Sequence, residues 1–237
     1  MAAEAAPRFL WLPQLEAAGA EFEIAGDEAH YLARVVRARP GEHATATDGM
    51  GALATLEVLA LRATVRVRCV ALRRVERGAT LELWCGAPEG GRADWLVEKL
   101  AELGVAVLQP LDASRGAWER APARRERWER LALAALRQSR SPFRMEIRAP
   151  ARLTSLVGNP GAPRRWVAAQ DGEPAAGRLV RSAGRSVAAV GPSSGFDGDE
   201  LNLLRSNDFA PVSIGANRLR TETAALAIAS IWGAAAS

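Results

Sequence analysis

From about residue 77 onward, short apolar segments alternate with segments of helical periodicity. The predicted strands are Leu81–Cys85, Val105–Leu108, Trp166–Ala169, Ser186–Val190 and Pro211–Ile214. The predicted helices are Ala93–Leu103, Pro122–Ser139, Ala175–Arg181, a helix that begins at Asp197 with Glu200 as its capping-box partner, and Thr223–Trp232. Regular alternation of this kind places helices on both faces of a parallel sheet. The sequence therefore predicts an α/β fold for this part of the chain.

The first 75 residues have a different pattern, with several short strands and one helix. The predicted strands are Phe9–Leu12, Glu21–Ile24, His43–Thr47, Ala52–Leu59 and Thr64–Val70. Asp27 is the predicted N-cap of a helix over Glu28–Ala38. Such a set of strands favours a small β-barrel. We place the domain boundary near Arg73–Ala79, which gives domains of residues 1–76 and 77–237.

Composition sets limits on the class of protein. The chain has 237 residues, of which 49% are hydrophobic and 24% charged, as in ordinary globular proteins. No apolar run approaches the ~18 residues of a membrane span, and residues 1–8 do not resemble a signal peptide. We therefore expect a cytoplasmic protein. Cys69 and Cys85 lie in separate predicted strands, so we expect buried free thiols and no metal site.

Basic residues are almost all arginine and lie in two clusters. The net charge is +4, and Lys99 is the single lysine among 31 basic residues. The first cluster is Arg62, Arg66, Arg68, Arg73, Arg74 and Arg77, and the second has ten arginines between Arg115 and Arg148. Arginine pairs with phosphate and stacks on bases, so two clusters favour a nucleic-acid partner. The alternative interpretation is a solvated helix face with ion pairs between neighbouring turns.

Two loops near the C-terminus carry the most specific pattern. Gly191–Phe196 and Ile214–Ala224 each follow a predicted strand and precede a predicted helix. In open α/β sheets, loops at the carboxyl ends of strands bind the ligand, so these two loops are expected to form one pocket. Neither matches G-x-G-x-x-G or a phosphate-binding loop. The final helix is apolar on nearly every side, which predicts enclosure by the fold, a subunit interface, or both.

These loops read G-P-x-x-G-F and I-G-x-x-x-L-R-T-E-T-A, and they resemble the C-terminal signature of the ribosomal RNA small subunit methyltransferase E family, in the SPOUT superfamily. The segments Asp94–Val105 and His30–Gly41 are similar to other parts of that family. The resemblance covers nearly the whole chain. It implies an N-terminal PUA-like barrel, and a C-terminal SPOUT-type domain with a parallel sheet and a trefoil knot.

The resemblance also implies an activity and partners. The family members are homodimers through the C-terminal domain, hold S-adenosylmethionine, and methylate N3 of uridine 1498 in the decoding region of 16S rRNA, as naked rRNA or in the small subunit. The cofactor residues implied are Gly191, Pro192, Ser193, Gly195, Ile214, Gly215, Leu219, Thr221, Glu222 and Thr223. The candidate RNA-binding residues are Arg34, Arg37, Arg66, Arg68, Arg115 and Arg140.

Two arginines of the second loop are candidates for catalysis. Uridine N3 carries a proton at neutral pH, so a cation beside the uracil oxygens would stabilise the anion that forms when it leaves. Arg220 is the first candidate for this role and Arg218 the second. The alternative is that Arg220 pairs with Glu222 or a backbone carbonyl and holds the loop.

Five positions depart from the family pattern. Ser193 and Ser194 replace the Glu-Gly of G-P-E-G-G, Glu89 stands at a lysine position, and Ala134 stands at an acidic position on the long helix. An acidic position three residues on holds Arg137. Two further hypotheses therefore stay open. One is a divergent RNA-binding dimer with weak or no methyltransferase activity, and the other is a methyltransferase with a different RNA target.

Overall fold

The computed structural model describes residues 8–120, 122–158, 161–162 and 164–235, which form two compact units. The first unit runs to Arg77 and also contains Leu136–Arg144, and the second contains Gly78–Ala135 and the chain from Met145 onward. The predicted division at residue 76 places Leu136–Arg144 in the C-terminal domain, so the structure differs there. Thr47 Oγ1 and Gly51 N both donate to the Pro142 carbonyl, at 3.0 Å each, and so join this segment to the first unit. Residues 1–7, which the signal-peptide expectation concerns, lie outside the described residues.

The first unit is built on a five-stranded curled sheet. Its strands are β1 (Phe9–Trp11), β2 (Glu21–Ile24), β3 (His43–Thr47), β4 (Ala52–Leu61) and β5 (Val65–Arg74), in the order β1-β3-β4-β5-β2. On β5, Val65, Val67 and Cys69 are buried while Arg66 and Arg68 are exposed, as the alternation predicts. Buried apolar residues of β1–β5 form the core of this unit together with Ala29 and Leu32.

The helix of the first unit begins earlier than predicted. It is α1 (Gly26–His30), which continues as a π-helical segment over Tyr31–Val35. The N-cap is Ala25, which makes no side-chain cap hydrogen bond, so the prediction that Asp27 caps this helix is wrong. Gly26 has φ +65°, and this turn lets the helix begin before the first capping side chain. Asp27 lies in the first turn, where its charge complements the helix dipole.

The second unit is a parallel sheet, as predicted. Its strands are β6 (Thr80–Gly86), β7 (Val107–Asp112), β8 (Glu146–Ile147), β9 (Ala151–Arg152), β10 (Arg164–Pro174), β11 (Arg185–Val190) and β12 (Ala210–Ser213). The order is β12-β10-β11-β6-β7-β8, with β9 also paired to β7. The trefoil knot implied by the family resemblance stays a prediction.

Helices cover both faces of this sheet. They are α2 (Ala93–Glu102), α3 (Pro122–Ser139), α4 (Leu153–Leu156), α5 (Ala175–Arg178), α6 (Gly198–Arg205) and α7 (Thr221–Ala234). Successive residues of β11 alternate between two buried clusters, with Ala188 and Val190 in one and Val187 and Ala189 in the other. A strand that is buried on both sides requires a covered sheet, and its continuous apolar run reflects this. The predicted capping box of Asp197 and Glu200 at the start of α6 is confirmed.

A buried carboxylate lies on β6, an interior strand of this sheet. Glu82 on β6 is 2% exposed, and Arg148 Nη1 and Arg185 Nη1 donate to its two oxygens at 3.0 and 3.2 Å. Trp84 Nε1 donates to the same carboxylate at 2.7 Å. A buried charge is tolerated only when it is paired and hydrogen-bonded, and these three donors meet that requirement.

Helix α7 is only partly enclosed in the single chain. Ala225, Ile228 and Ala229 are buried, whereas Leu226 and Ile231 are partly exposed. The single chain therefore encloses this helix in part, and the subunit interface that the sequence also offers stays a prediction. Across the described residues, no helix has the length and apolarity needed to cross a membrane.

Candidate cofactor site

A cavity of about 500 Å³ lies at the carboxyl ends of β11 and β12 and beside the middle of β10 in the second unit. The loop Gly191–Phe196 lines it from the end of β11, and most residues between Ile214 and Thr221 line it from the end of β12. The two loops singled out in the sequence thus border one cavity. Its volume falls within the range of about 300–1,000 Å³ that is usual for small-molecule and cofactor sites.

Most of the residues assigned to the cofactor line this cavity. Those that do are Gly191, Pro192, Ser193, Gly195, Ile214, Gly215, Leu219 and Thr221. Glu222 and Thr223 do not. Glu222 is buried and Thr223 is exposed. Both lie in the first turn of α7, where the helical rotation turns them away from the cavity.

Close backbone packing forms the turn at residues 191–195. Gly195 N donates to the Pro192 carbonyl at 2.7 Å, and Gly195 has φ +80°, a conformation that favours glycine. A Cβ on Gly191 would lie 2.8 Å from Phe196 N. A Cβ on Gly86, the last residue of β6, would lie 2.2 Å from Pro192 N and 2.7 Å from the Gly191 carbonyl carbon. The end of β6 therefore supports this turn by direct backbone contact.

Three side chains also hold the turn. Thr221 Oγ1 donates to the Gly191 carbonyl at 3.0 Å, and Arg218 Nη2 donates to the Ser193 carbonyl at 3.1 Å. Ser193 Oγ donates to Glu89 Oε1 at 2.6 Å. Arg218, the second catalytic candidate, is thus engaged with the backbone of the neighbouring loop.

Glu222 forms an ion pair on the far side of α7. Its Oε1 lies 3.3 Å from Arg92 Nε, and the residue is 4% exposed. Burial, and then the neighbouring Glu222 carboxylate, raise the pKa of the Cys85 thiol above its ordinary value. Cys85 is therefore a protonated, buried thiol at neutral pH, and Cys69 is also buried and unpaired, as predicted.

Arg220 is placed differently from Arg218. It is the exposed N-cap residue of α7, and its carbonyl accepts from Ala224 N at 2.9 Å. Its guanidinium has no hydrogen-bond or ion-pair partner among the described residues. Glu222 pairs with Arg92, and among the described residues the Arg220 guanidinium contacts neither of the partners that the loop-holding alternative names, Glu222 or a backbone carbonyl. Arg220 does not line the cavity itself but follows Leu219, which does.

The sequence did not reveal the third wall of the cavity, which comes from β10. Gln170 and Asp171 line the cavity, and Asp171 Oδ2 accepts from Arg205 Nη2 of α6 at 2.6 Å. The pairing of β10 with β12 shifts between Ala168 and Glu173, so the intervening residues leave the regular ladder. The polar segment Gln170-Asp171-Gly172 at the end of an apolar strand was the available signal.

The arginines assigned to RNA lie in both units, and all six are exposed. Arg34, Arg37, Arg66, Arg68 and Arg140 belong to the first unit, and Arg115 to the second. Arg68 already has acidic partners on the adjacent strands. Its Nη2 lies 2.7 Å from Glu21 Oε1, and its Nη1 lies 3.4 Å from Glu57 Oε2. Within the described part of the chain, no cluster of His, Cys, Asp or Glu could hold a metal ion.

Comparison with known proteins gives the family. A model described as an RNA methyltransferase domain matches residues 76–233, and one described as an RNA methyltransferase PUA domain matches residues 24–67. The Ribosomal RNA small subunit methyltransferase E of Mycobacterium bovis is 31% identical over 251 residues, which cover 92% of this chain and 91% of that protein. The chain belongs to the ribosomal RNA small subunit methyltransferase E family.

Other members of this family also match the chain. The Aquifex aeolicus protein of the same name is 32% identical over 142 residues, a match that spans 58% of this chain and 61% of that protein. The crystal structure of the Neisseria gonorrhoeae enzyme of this name, bound to S-adenosylmethionine, has a TM-score of 0.84 at 24% identity. It covers 95% of each chain. This likeness confirms the predicted fold class, a PUA-like sheet followed by a SPOUT-type α/β domain.

Proposed function

We propose that this protein is an S-adenosylmethionine-dependent methyltransferase that methylates N3 of uridine 1498 in 16S rRNA. One observation carries the proposal. The two loops with the family signature border a single cavity of about 500 Å³ at the carboxyl ends of the parallel strands β11 and β12. That position and volume suit a nucleoside-sized cofactor.

The cavity residues fit this cofactor. The turn at residues 191–195 and the segment at 214–219 offer backbone groups to a purine and ribose, and Ile214 and Leu219 offer apolar surface. Asp171 and Arg205 carry charges opposite to the ammonium and carboxylate of its amino-acid end. When bound, the cofactor supplies an electrophilic methyl group on a sulfonium. The chain's own task is to orient the two reactants for an in-line displacement.

Arg220 is the residue that we assign to the uracil anion. Loss of the N3 proton places negative charge on the uracil oxygens, and a positioned donor is typically worth about 3–4 kcal/mol there. Arg218 donates to the Ser193 carbonyl and is assigned to the shape of the loop. The unpartnered guanidinium of Arg220, at the start of α7, is the one available to a substrate that enters beside Leu219.

Partly exposed apolar side chains and exposed arginines support the proposed dimer and the proposed RNA partner. We propose a homodimer formed through the C-terminal domain, because Leu226 and Ile231 on α7 are incompletely buried and Trp95 on the adjacent α2 is 47% exposed. The exposed arginines of the PUA-like unit would bind the phosphates of rRNA. The substrate would be 16S rRNA or the small ribosomal subunit in the cytoplasm.

Two measurements test the proposal. Calorimetric titration with S-adenosylhomocysteine should show binding, and absence of binding at millimolar ligand would refute the enzyme assignment. Mass spectrometry of 16S rRNA from a deletion strain should show loss of N3-methyluridine. Binding of the cofactor product together with unchanged N3-methyluridine would indicate a different RNA target. A protein that binds RNA but neither cofactor nor product would be the divergent RNA-binding dimer.

A further inference from the structure

Ser193 is the residue at which three loops meet. It lies in the cavity-lining turn after β11, and its hydroxyl and its carbonyl are both engaged by other loops. Glu89, in the loop between β6 and α2, accepts a hydrogen bond from this hydroxyl at 2.6 Å. Arg218, in the loop between β12 and α7, donates to the carbonyl at 3.1 Å.

The two contacts act on a short turn. The Gly195 N to Pro192 carbonyl hydrogen bond closes this turn around Ser193. Loss of either contact of Ser193 therefore changes the position of the backbone that lines the cavity. Glu89 is exposed and does not line the cavity, so its influence on a bound molecule runs through Ser193.

We propose that Glu89 is a positioning residue for the cofactor, which acts by fixing the cavity-lining turn through the Ser193 hydroxyl. The proposal rests on the proposed function, because it concerns the ligand of the same cavity. A hydroxyl donor to a carboxylate is a charge-assisted hydrogen bond and is stronger than a neutral one. Glu89 therefore orders the turn before the cofactor arrives, and the cofactor does not have to supply that ordering itself.

Binding of S-adenosylhomocysteine to the full-length protein tests this. Glu89→Ala should raise the Kd about tenfold, which corresponds to about 1.4 kcal/mol. The unfolding temperature without ligand should stay within about 1 °C of wild type, because both partners lie at the surface. Glu126→Ala is the matched control. It removes the same charge from the same unit, at an exposed site on α3 with no partner among the described residues.

A double-mutant cycle separates positioning through Ser193 from a general charge effect. In the Ser193→Ala background, Glu89→Ala should change the Kd less than twofold. The double variant Glu89→Ser with Ser193→Glu exchanges donor and acceptor, and it should bind more tightly than either of its single substitutions. A Kd for Glu89→Ala within twofold of wild type would overturn the inference, as would an equal loss in the Ser193→Ala background. Failure of wild type to bind at all would instead refute the proposed function.

Discussion

Because Gly86 contacts the backbone of the turn at residues 191–195, the addition of a single methyl group there is a severe perturbation. In a Gly86→Ala variant the new Cβ would lie 2.2 Å from Pro192 N and 2.7 Å from the Gly191 carbonyl carbon. Non-bonded heavy atoms pack at about 3.5 Å, so the turn must move by roughly 1 Å or more. The atoms in conflict belong to the backbone, and rotation of a side chain cannot relieve them.

A displacement of this size should affect binding and catalysis more than folding. Misplacing reacting groups by about 1 Å costs on the order of 100-fold in rate, so we expect kcat/KM to fall about 100-fold. The Kd of S-adenosylhomocysteine should rise at least tenfold. Overpacking in a close-packed core typically costs about 1–3 kcal/mol, which leaves a folded protein with a lower unfolding temperature.

The assay combines calorimetric titration, initial rates of methyl transfer to 16S rRNA, and thermal unfolding followed by circular dichroism. Gly177→Ala in α5 is the control, because nothing lies within 4 Å of its Cβ position. Alanine in a helix is favoured over glycine by about 0.5–1 kcal/mol, so this variant should be at least as stable as wild type. A Gly86→Ala protein with wild-type unfolding temperature and a Kd within threefold of wild type would refute the packing argument.

Three further predictions concern other sites. Arg220→Ala should lower kcat by about 100-fold or more, with the S-adenosylhomocysteine Kd nearly unchanged; a large rise in Kd with little loss of kcat would identify a loop-holding residue instead. Glu82→Ala removes the buried acceptor of Arg148, Arg185 and Trp84 Nε1 and should lower the free energy of unfolding by about 1–3 kcal/mol in urea titrations, because Arg148 keeps Glu146 and both guanidinium groups are partly exposed, whereas no measurable loss would contradict that role. Arg66→Ala should weaken rRNA binding and reduce its salt dependence, while Arg68→Ala, whose side chain is paired with acidic neighbours, should change both less. Equal effects of the two substitutions would show that the ion pairs of Arg68 open when RNA binds.

Features set by local sequence could be predicted well. The capping box of Asp197 and Glu200 depends on residues three apart, and it forms as expected. The shared cavity of the loops at residues 191–196 and 214–221 could also be anticipated, because parallel strands bring their carboxyl ends to one edge. Asp27 failed as a cap because the left-handed Gly26 before it let the helix begin earlier.

Features set by register and helical rotation could not be predicted. Arg68 is occupied by Glu21 and Glu57, and these partners become neighbours only through strand pairing. The signature predicts a cofactor contact for Glu222. Its position in the first helical turn of α7 instead directs the side chain toward Arg92. Asp171 was missed because an irregularity in strand pairing leaves no distinct periodicity in one sequence.

The register shift in the pairing of β10 with β12 determines which residues of the cavity wall can vary. Val212 of β12 pairs with Ala168 on one side of the irregular segment and with Glu173 on the other, so both ends of the segment are anchored at one point of the sheet. A Cβ on Gly172 would lie 2.4 Å from Val212 N, so this position must stay glycine for the segment to pack against β12. The cavity wall can therefore vary at Gln170 and Asp171, which line the cavity and lie outside the regular ladder, but not at Gly172.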